Sequence, residues 1–197
     1  MPKGYSIILA TDEKGGIGKS QCMAWVDKED MRFFRKITTN TECLGKINAV
    51  IMGRKTWDSL PLRPLAGRLN IVISSNATQQ KLPPIEEDLE YANEEDNNLP
   101  YPYPIFFNSI DDALVYCDAV SWIETTFVIG GAQIYNYCFT KAIDTLNNVY
   151  WTTIEGDFDC DTFFRPPPIF FEYFKENCDE NDMRRKVFNR NVCMFNP

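Results

Sequence analysis

Apolar residues along this chain fall into two patterns, and the switch between them marks the elements. Short, nearly unbroken apolar runs read as buried strands: "YSIILA" (5–10), "NAVIMG" (48–53), "LNIVIS" (69–74), "TTFVIGG" (125–131) and "LNNVYWTTI" (146–154). Between them, "KEDMRFFRKIT" (28–38), "RKTWDSL" (54–60), "DDALVYC" (111–117) and "AQIYNYCF" (132–139) read as helices. This alternation predicts an α/β domain built on a mostly parallel, twisted central sheet. Two further strands, around 170–176 and 186–195, are expected as antiparallel additions at its edge. Residues 76–104 break the pattern with Gln, Asn, Glu, Asp and Pro, including "YPYP". Strands resume on both sides, so this stretch reads as a surface insertion within one domain spanning 1–197.

The first helix carries the most informative side chain. Asp30, Phe33, Phe34 and Ile37 share one face, and its three apolar members mark that face as the buried one. A carboxylate there is costly without a partner. Either Asp30 belongs to a capping arrangement begun by Asp27, or it is held in an apolar cleft to pair with a cationic or amidine-like ligand.

Two strand-to-helix junctions add a second theme. "AVIMGRKTW" (49–57) runs from a buried strand through Gly53 into Arg54, Lys55 and Thr56. "FVIGGAQIY" (127–135) ends a strand at Gly130-Gly131 and opens a helix at Ala132. Free backbone N–H groups at such junctions suit an anion. Ligands of parallel sheets gather at the carboxyl ends of the strands.

Composition narrows the chemistry. The net charge of −8 argues against general binding to nucleic acid or anionic membranes, so an anionic ligand needs a local cluster of cations. No apolar run is long enough for a transmembrane span, and the first residues do not form a signal peptide. With no histidine and no CxxC pair among seven cysteines, a metal site and His-dependent nucleophilic catalysis are not expected. The odd cysteine count suits reduced thiols in the cytoplasm.

"GGIGK", Trp25 with an acid five residues later, "VIMGRKTW", "RPLAGRLNIVIS", "FVIGGAQIY" and "DCDTFF" occur in the order seen in dihydrofolate reductases. The chain therefore resembles that family from about Tyr5 to Phe164. The resemblance implies a dihydrofolate reductase-like fold with helices on both faces of the sheet. It also implies reduction of 7,8-dihydrofolate to tetrahydrofolate, with hydride passing from nicotinamide C4 of NADPH to pterin C6. Asp30 then resembles the carboxylate that pairs with the pterin, supported by Thr152, while Trp25 rides a mobile loop (about 11–26) that closes over nicotinamide. Ile8, Leu9, Ala10, Met31, Phe34, Leu60, Leu65 and Ile129 would surround the substrate, with Arg68 gripping the α-carboxylate of its glutamate tail. Ala10, Ile17, Gly18, Gly53, Arg54, Lys55 and Thr56 would contact the cofactor, with Ser74 and Ser75 at its 2′-phosphate. Gly130, Gly131, Ala132, Gln133, Ile134 and Tyr135 would line its second phosphate and nicotinamide wall, and the Gly-Gly bond is cis in the family.

The pattern departs from the family in several places, Val26-Asp27 in the approach to the helix among them. Met23-Ala24-Trp25 lacks the usual proline before the tryptophan, which loosens the closed loop. Ser75, Asn108 and Gln133 stand where many members place cations, leaving Arg54 as the main positive charge for the 2′-phosphate. A related-fold reductase of riboflavin synthesis would not account for "RPLAGR" or for the acid after Trp25. A binding module without turnover is the non-enzymatic alternative. No fused thymidylate synthase segment is recognised, so the expectation is a monomer whose partners are dihydrofolate and antifolate inhibitors.

Overall fold

The computed structural model describes residues 3–77, 82–83, 103–178 and 184–191. In chain order its elements begin with β1 (Tyr5–Asp12), β2 (Gly16–Gly18), α1 (Lys28–Thr39), β3 (Ile47–Gly53) and α2 (Arg54–Ser59). There follow β4 (Arg68–Ile73), β5 (Ile105–Phe107), α3 (Ile110–Ala119), β6 (Ile123–Val128) and α4 (Ala132–Thr140). The chain closes with β7 (Leu146–Ile154), β8 (Thr162–Phe163), α5 (Phe170–Tyr173), β9 (Phe174–Cys178) and β10 (Arg185–Arg190).

The central sheet has the order β5-β4-β3-β6-β1-β7-β10-β9. Its first six strands run parallel, and β10 and β9 continue it antiparallel. Successive side chains point to opposite faces, and both faces are covered. Ile7, Leu9, Ile51 and Ile71 face a core shared with α3 and α4. Ile8, Val50, Met52 and Val72 face a second core with Trp57, walled by Phe33, Phe34 and Ile37 of α1. Burial on both sides is why these strands read as continuous apolar runs in the sequence.

Helix α1 is fastened at both ends. Asp27 is its N-cap, accepting from the backbone N–H groups of Glu29 at 2.8 Å and Asp30 at 2.9 Å. At the other end, Asn48 of β3 donates to the carbonyls of Thr38 and Asn40 and accepts from Thr125 N–H. The helix thus lies at a fixed height along the sheet, which sets the position of Asp30.

Several expectations need correction. Residues 170–173 form a helical turn, α5, and the strand starts only at Phe174. Three prolines (166–168) precede the turn, and the carbonyls of Pro167 and Pro168 accept from Phe170 and Phe171 N–H. The turn drives the Phe170 ring into the core beside Phe139, Phe174 and Phe188, at 5.0–5.2 Å between centroids. The strand expected at 125–131 leaves the ladder after Val128, because Gly130 turns to φ +102°. Strand β10 ends at Arg190, and positions 192–195 lie outside the described residues. So does most of the expected insertion; within it, buried Pro83 accepts from the Tyr116 hydroxyl at 3.3 Å. The short strands β2, β5 and β8 were not anticipated, being too brief to show a period.

Phe170 is fully buried among aromatic rings. Phe170→Ala should therefore destabilise the chain by about 3–5 kcal/mol, read as a lower urea midpoint at unchanged slope. A loss below about 1 kcal/mol would contradict this packing.

Candidate active site

The buried face of α1 meets the sheet at Asp30. The Thr152 hydroxyl, on β7 and almost wholly buried, donates to its carboxylate. Burial pushes the Asp30 carboxyl above the ordinary carboxylate range, against the Thr152 hydrogen bond. Asp27 adds to the rise, while Arg185 and Arg184 oppose it. Both readings of the helix start therefore hold in part: Asp27 makes the cap, and Asp30 turns inward to Thr152.

The segment between β1 and α1 is pinned from several sides. Asp12 Oδ1 accepts from the N–H groups of Lys14 and Gly16. Strand β2 pairs with β8, and Asp161 accepts from Ser20 N–H at 2.7 Å. Lys14 and Lys19 form ion pairs with Asp157 and Asp159. Trp25 packs on Phe158 with 5.4 Å between ring centroids. The tryptophan is 6% exposed, and its indole N–H has no protein acceptor among the described residues. A buried donor of this kind is one that a ligand or water satisfies.

Phe34, Leu60, Leu65 and Ile129 line one apolar wall around Ile8, partly buried. Met31 stands at the outer rim, 44% exposed. Leu9 is a correction: its side chain turns into the opposite core, so only its backbone can border the site. The Ile8 carbonyl accepts from the Tyr135 hydroxyl at 3.0 Å, and burial pushes that phenol's pKa upward.

Arg68 sits at the end of this wall, 5% exposed. It donates to Thr38 Oγ1 at 2.7 Å and to the Ala66 carbonyl at 3.1 Å, and lies 5.6 Å from the Phe34 ring centroid. None of these partners is anionic. Burial, aided by the charge of Arg35, lowers the guanidinium to about 10. A buried cation held by neutral groups lacks a counter-charge to offset its desolvation.

At the carboxyl edge of the sheet the peptide bond between Gly130 and Gly131 is cis. A Cβ at Gly130 would come within 2.8 Å of the Tyr135 ring, so only glycine fits there. Gly53 N–H donates to the Gly130 carbonyl at 2.8 Å, which ties the two glycine junctions together. Neither α2 nor α4 has a side chain capping its N-terminus. The Thr56 hydroxyl lies against Gly131, at 3.3 Å from where a Cβ would stand. Beside this edge a recess of about 360 Å³ is lined by Arg54, Ser74, Asn76, Ala77 and Phe106. Arg54 lies 5.9 Å from the Phe106 ring centroid and pairs with Asp58 at 2.8 Å.

Most of the residues singled out in the sequence converge here, with some exceptions. Ser74 lines the recess, whereas Ser75 is exposed and does not. Gln133 and Lys55 face solvent. Ile17 packs against the opposite core, and Gly18 is buried in β2. Ala10 and Ala132 are half-buried, and Ile134 is buried in α4. Phe106 escaped the sequence reading because β5 was not recognised. A separate groove of about 640 Å³, floored by Trp151, Phe164, Phe171 and Phe188, contains none of the expected residues. No group of three metal-ligating side chains, and no helix able to cross a membrane, occurs among the described residues.

The family model for dihydrofolate reductase matches residues 5–195. A dihydrofolate reductase of Heliothis virescens is 35% identical over 161 residues, covering 81% of this chain and 77% of its own. A bifunctional dihydrofolate reductase-thymidylate synthase of Leishmania major is 37% identical over 182 residues, and this chain spans 33% of it. In fold, the chain is similar to an Enterococcus faecalis dihydrofolate reductase complexed with NADP(H) and RAB-propyl. That match has a TM-score of 0.67 at 24% identity and covers 97% of this chain and 98% of the other. The cis Gly-Gly bond, the inward carboxylate on α1 and the buried arginine thus occur in a chain that belongs to the dihydrofolate reductase family.

Proposed function

We propose that Asp30, Thr152 and Trp25 carry the chemistry of the family's reaction in this chain. That reaction is the NADPH-dependent reduction of 7,8-dihydrofolate to 5,6,7,8-tetrahydrofolate. The supporting observation is the half-buried Asp30 carboxylate, held by Thr152 on an apolar face with no cation bonded to it among the described residues. Such a group suits a flat, amidine-bearing ring, whose two adjacent N–H donors match two carboxylate oxygens. Paired in this way, ionised Asp30 raises the ring's electron density and its affinity for a proton. Phe34, Leu60, Leu65 and Ile129 hold the ring system in register, and Arg68 receives the carboxylate of the tail in a bidentate pair. Burial of Trp25 closes the site against bulk water, which strengthens every polar contact inside.

The residues at the carboxyl edge fit the cofactor. Glycine at Gly130 and Gly131 lets a ligand approach the backbone closely, and the uncapped N-terminus of α4 offers N–H donors to a phosphate. Arg54 and Ser74 in the adjoining recess suit a 2′-phosphate, with Phe106 beside them. When bound, the reduced nicotinamide supplies the hydride. Arg54 shares its charge with Asp58, so its discrimination between NADPH and NADH is modest. The chain reads as a single-domain monomer acting in the cytosol. Cys22, Cys43, Cys117, Cys138 and Cys160 are free, and burial pushes Cys117 and Cys138 up to about 12, where thiols are inert. Antifolates with a diaminopyrimidine edge would pair with Asp30 as the substrate does.

Asp30→Asn should fold, bind cofactor and lose about a hundredfold or more of its activity at neutral pH; near-full turnover would refute the assignment. The same variant bears on stability. A carboxyl whose pKa is raised in the folded state costs stability above that pKa and nothing below the unfolded value. Asp30→Asn should therefore raise Tm at neutral pH, and the gain should fade in acid. Arg68→Leu should raise KM for dihydrofolate about ten- to a hundredfold, as for loss of a charge-assisted contact, with kcat little changed. An unchanged KM would exclude that contact. Arg54→Gln should narrow the ratio of kcat/KM for NADPH over NADH. A ratio left intact would move the discrimination to another cation.

A further inference from the structure

Strand β10 brings two consecutive arginines to the start of α1, neither of them part of the site read from the sequence. Arg185 is the register partner of Thr152, the residue that bonds Asp30. Its guanidinium lies 4.6 Å from the ring centroid of Phe33, one turn beyond Asp30 on the same face of α1. A guanidinium over an aromatic face is attracted by the ring quadrupole. Arg184, just before it, pairs with Glu29 at 2.6 Å and with the capping Asp27 at 3.4 Å, while its carbonyl accepts from Thr153 N–H. Two turns of the helix are thus clamped to the sheet edge on either side of Asp30.

We propose that Arg185 is a positioning residue for Asp30: its stack on Phe33 holds the helix face, and its charge stands within electrostatic reach of the carboxylate. Arg184 acts as the clamp on the helix N-terminus. This rests on the reading of Asp30 as the catalytic carboxylate. Among the described residues, the charged and titratable groups acting there are Asp27 from the cap, Arg184 and Arg185 at the start of β10, and the Tyr135 phenol from α4. Burial and Asp27 disfavour the ionised carboxylate, and the two arginines favour it. In a chain of net charge −8 the arginines supply that counterweight locally.

The test is the pH profile of kcat/KM with dihydrofolate and NADPH for the wild type, Arg185→Leu, Arg185→Lys, Asp30→Asn and Lys186→Gln. Lys186 neighbours Arg185 on β10 but lines the groove on the opposite face, where it pairs with Glu176. The acid limb of Arg185→Leu should move upward by about half a pH unit or more. Arg185→Lys, which keeps the charge, should stay closer to the wild type, and Lys186→Gln should superimpose on it. The shift should also shrink in high salt. Tm for each variant shows that the protein compared is folded. An Arg185→Leu profile matching the wild type overturns the inference, as does an equal shift in Arg185→Lys or Lys186→Gln. An Asp30→Asn enzyme that keeps its activity overturns instead the reading on which the inference rests.

Discussion

A carboxylate set into an apolar helix face must be held in place, and in this fold the hydrogen bond from Thr152 to Asp30 holds it. That bond joins α1 to β7, the last strand of the parallel array before the antiparallel β10. It works only because α1 lies at a fixed height and angle. Asp27 sets where the helix begins, Asn48 fixes where it ends, and Phe33, Phe34 and Ile37 press its face onto the sheet. Shifting any of these attachments would leave Asp30 either in water, where it is an ordinary acid, or buried without a partner, where it would take up a proton.

The overall charge of the molecule gives no hint of where its cations sit. Against a net charge of −8, the cations around α1 and the sheet are placed in different ways. Arg68 is sunk among neutral groups, with no counter-charge beside it in the described structure. Arg54 is exposed and shares Asp58. Arg184 and Arg185 act on the chain's own carboxylates. Burial makes the difference, since an exposed charge is screened over about 8–10 Å in ordinary salt and a buried one much less.

What the sequence disclosed follows from the same physics. Strands covered on both faces leave long apolar runs, so the parallel core was legible from the chain alone. Asp30 was legible because it interrupts an apolar helical face. The direction of the Leu9 side chain was not legible because neighbouring strand residues point to opposite faces, and an all-apolar run hides which face is which. The turn at Phe170 was misread because aromatic density suggests a strand, whereas the carbonyls of Pro167 and Pro168 close a helical turn and the Phe170 ring packs among Phe139, Phe174 and Phe188. Phe106, Arg184 and Arg185 could not be found locally. They join the site through the pairing of distant strands, β5 on β4 and β10 on β7, and a local pattern does not encode such a register.

The segment between β1 and α1 is fastened differently from the acid on α1. Asp157, Asp159 and Asp161 hold Lys14, Lys19 and the Ser20 amide at the surface, in reach of dissolved ions. Asp30 and Arg68 are gripped by buried neutral groups that salt barely touches. Salt therefore loosens the surface fastenings of this segment before it weakens the buried contacts of Asp30 and Arg68, so the medium bears more on the segment than on the groups it leads to.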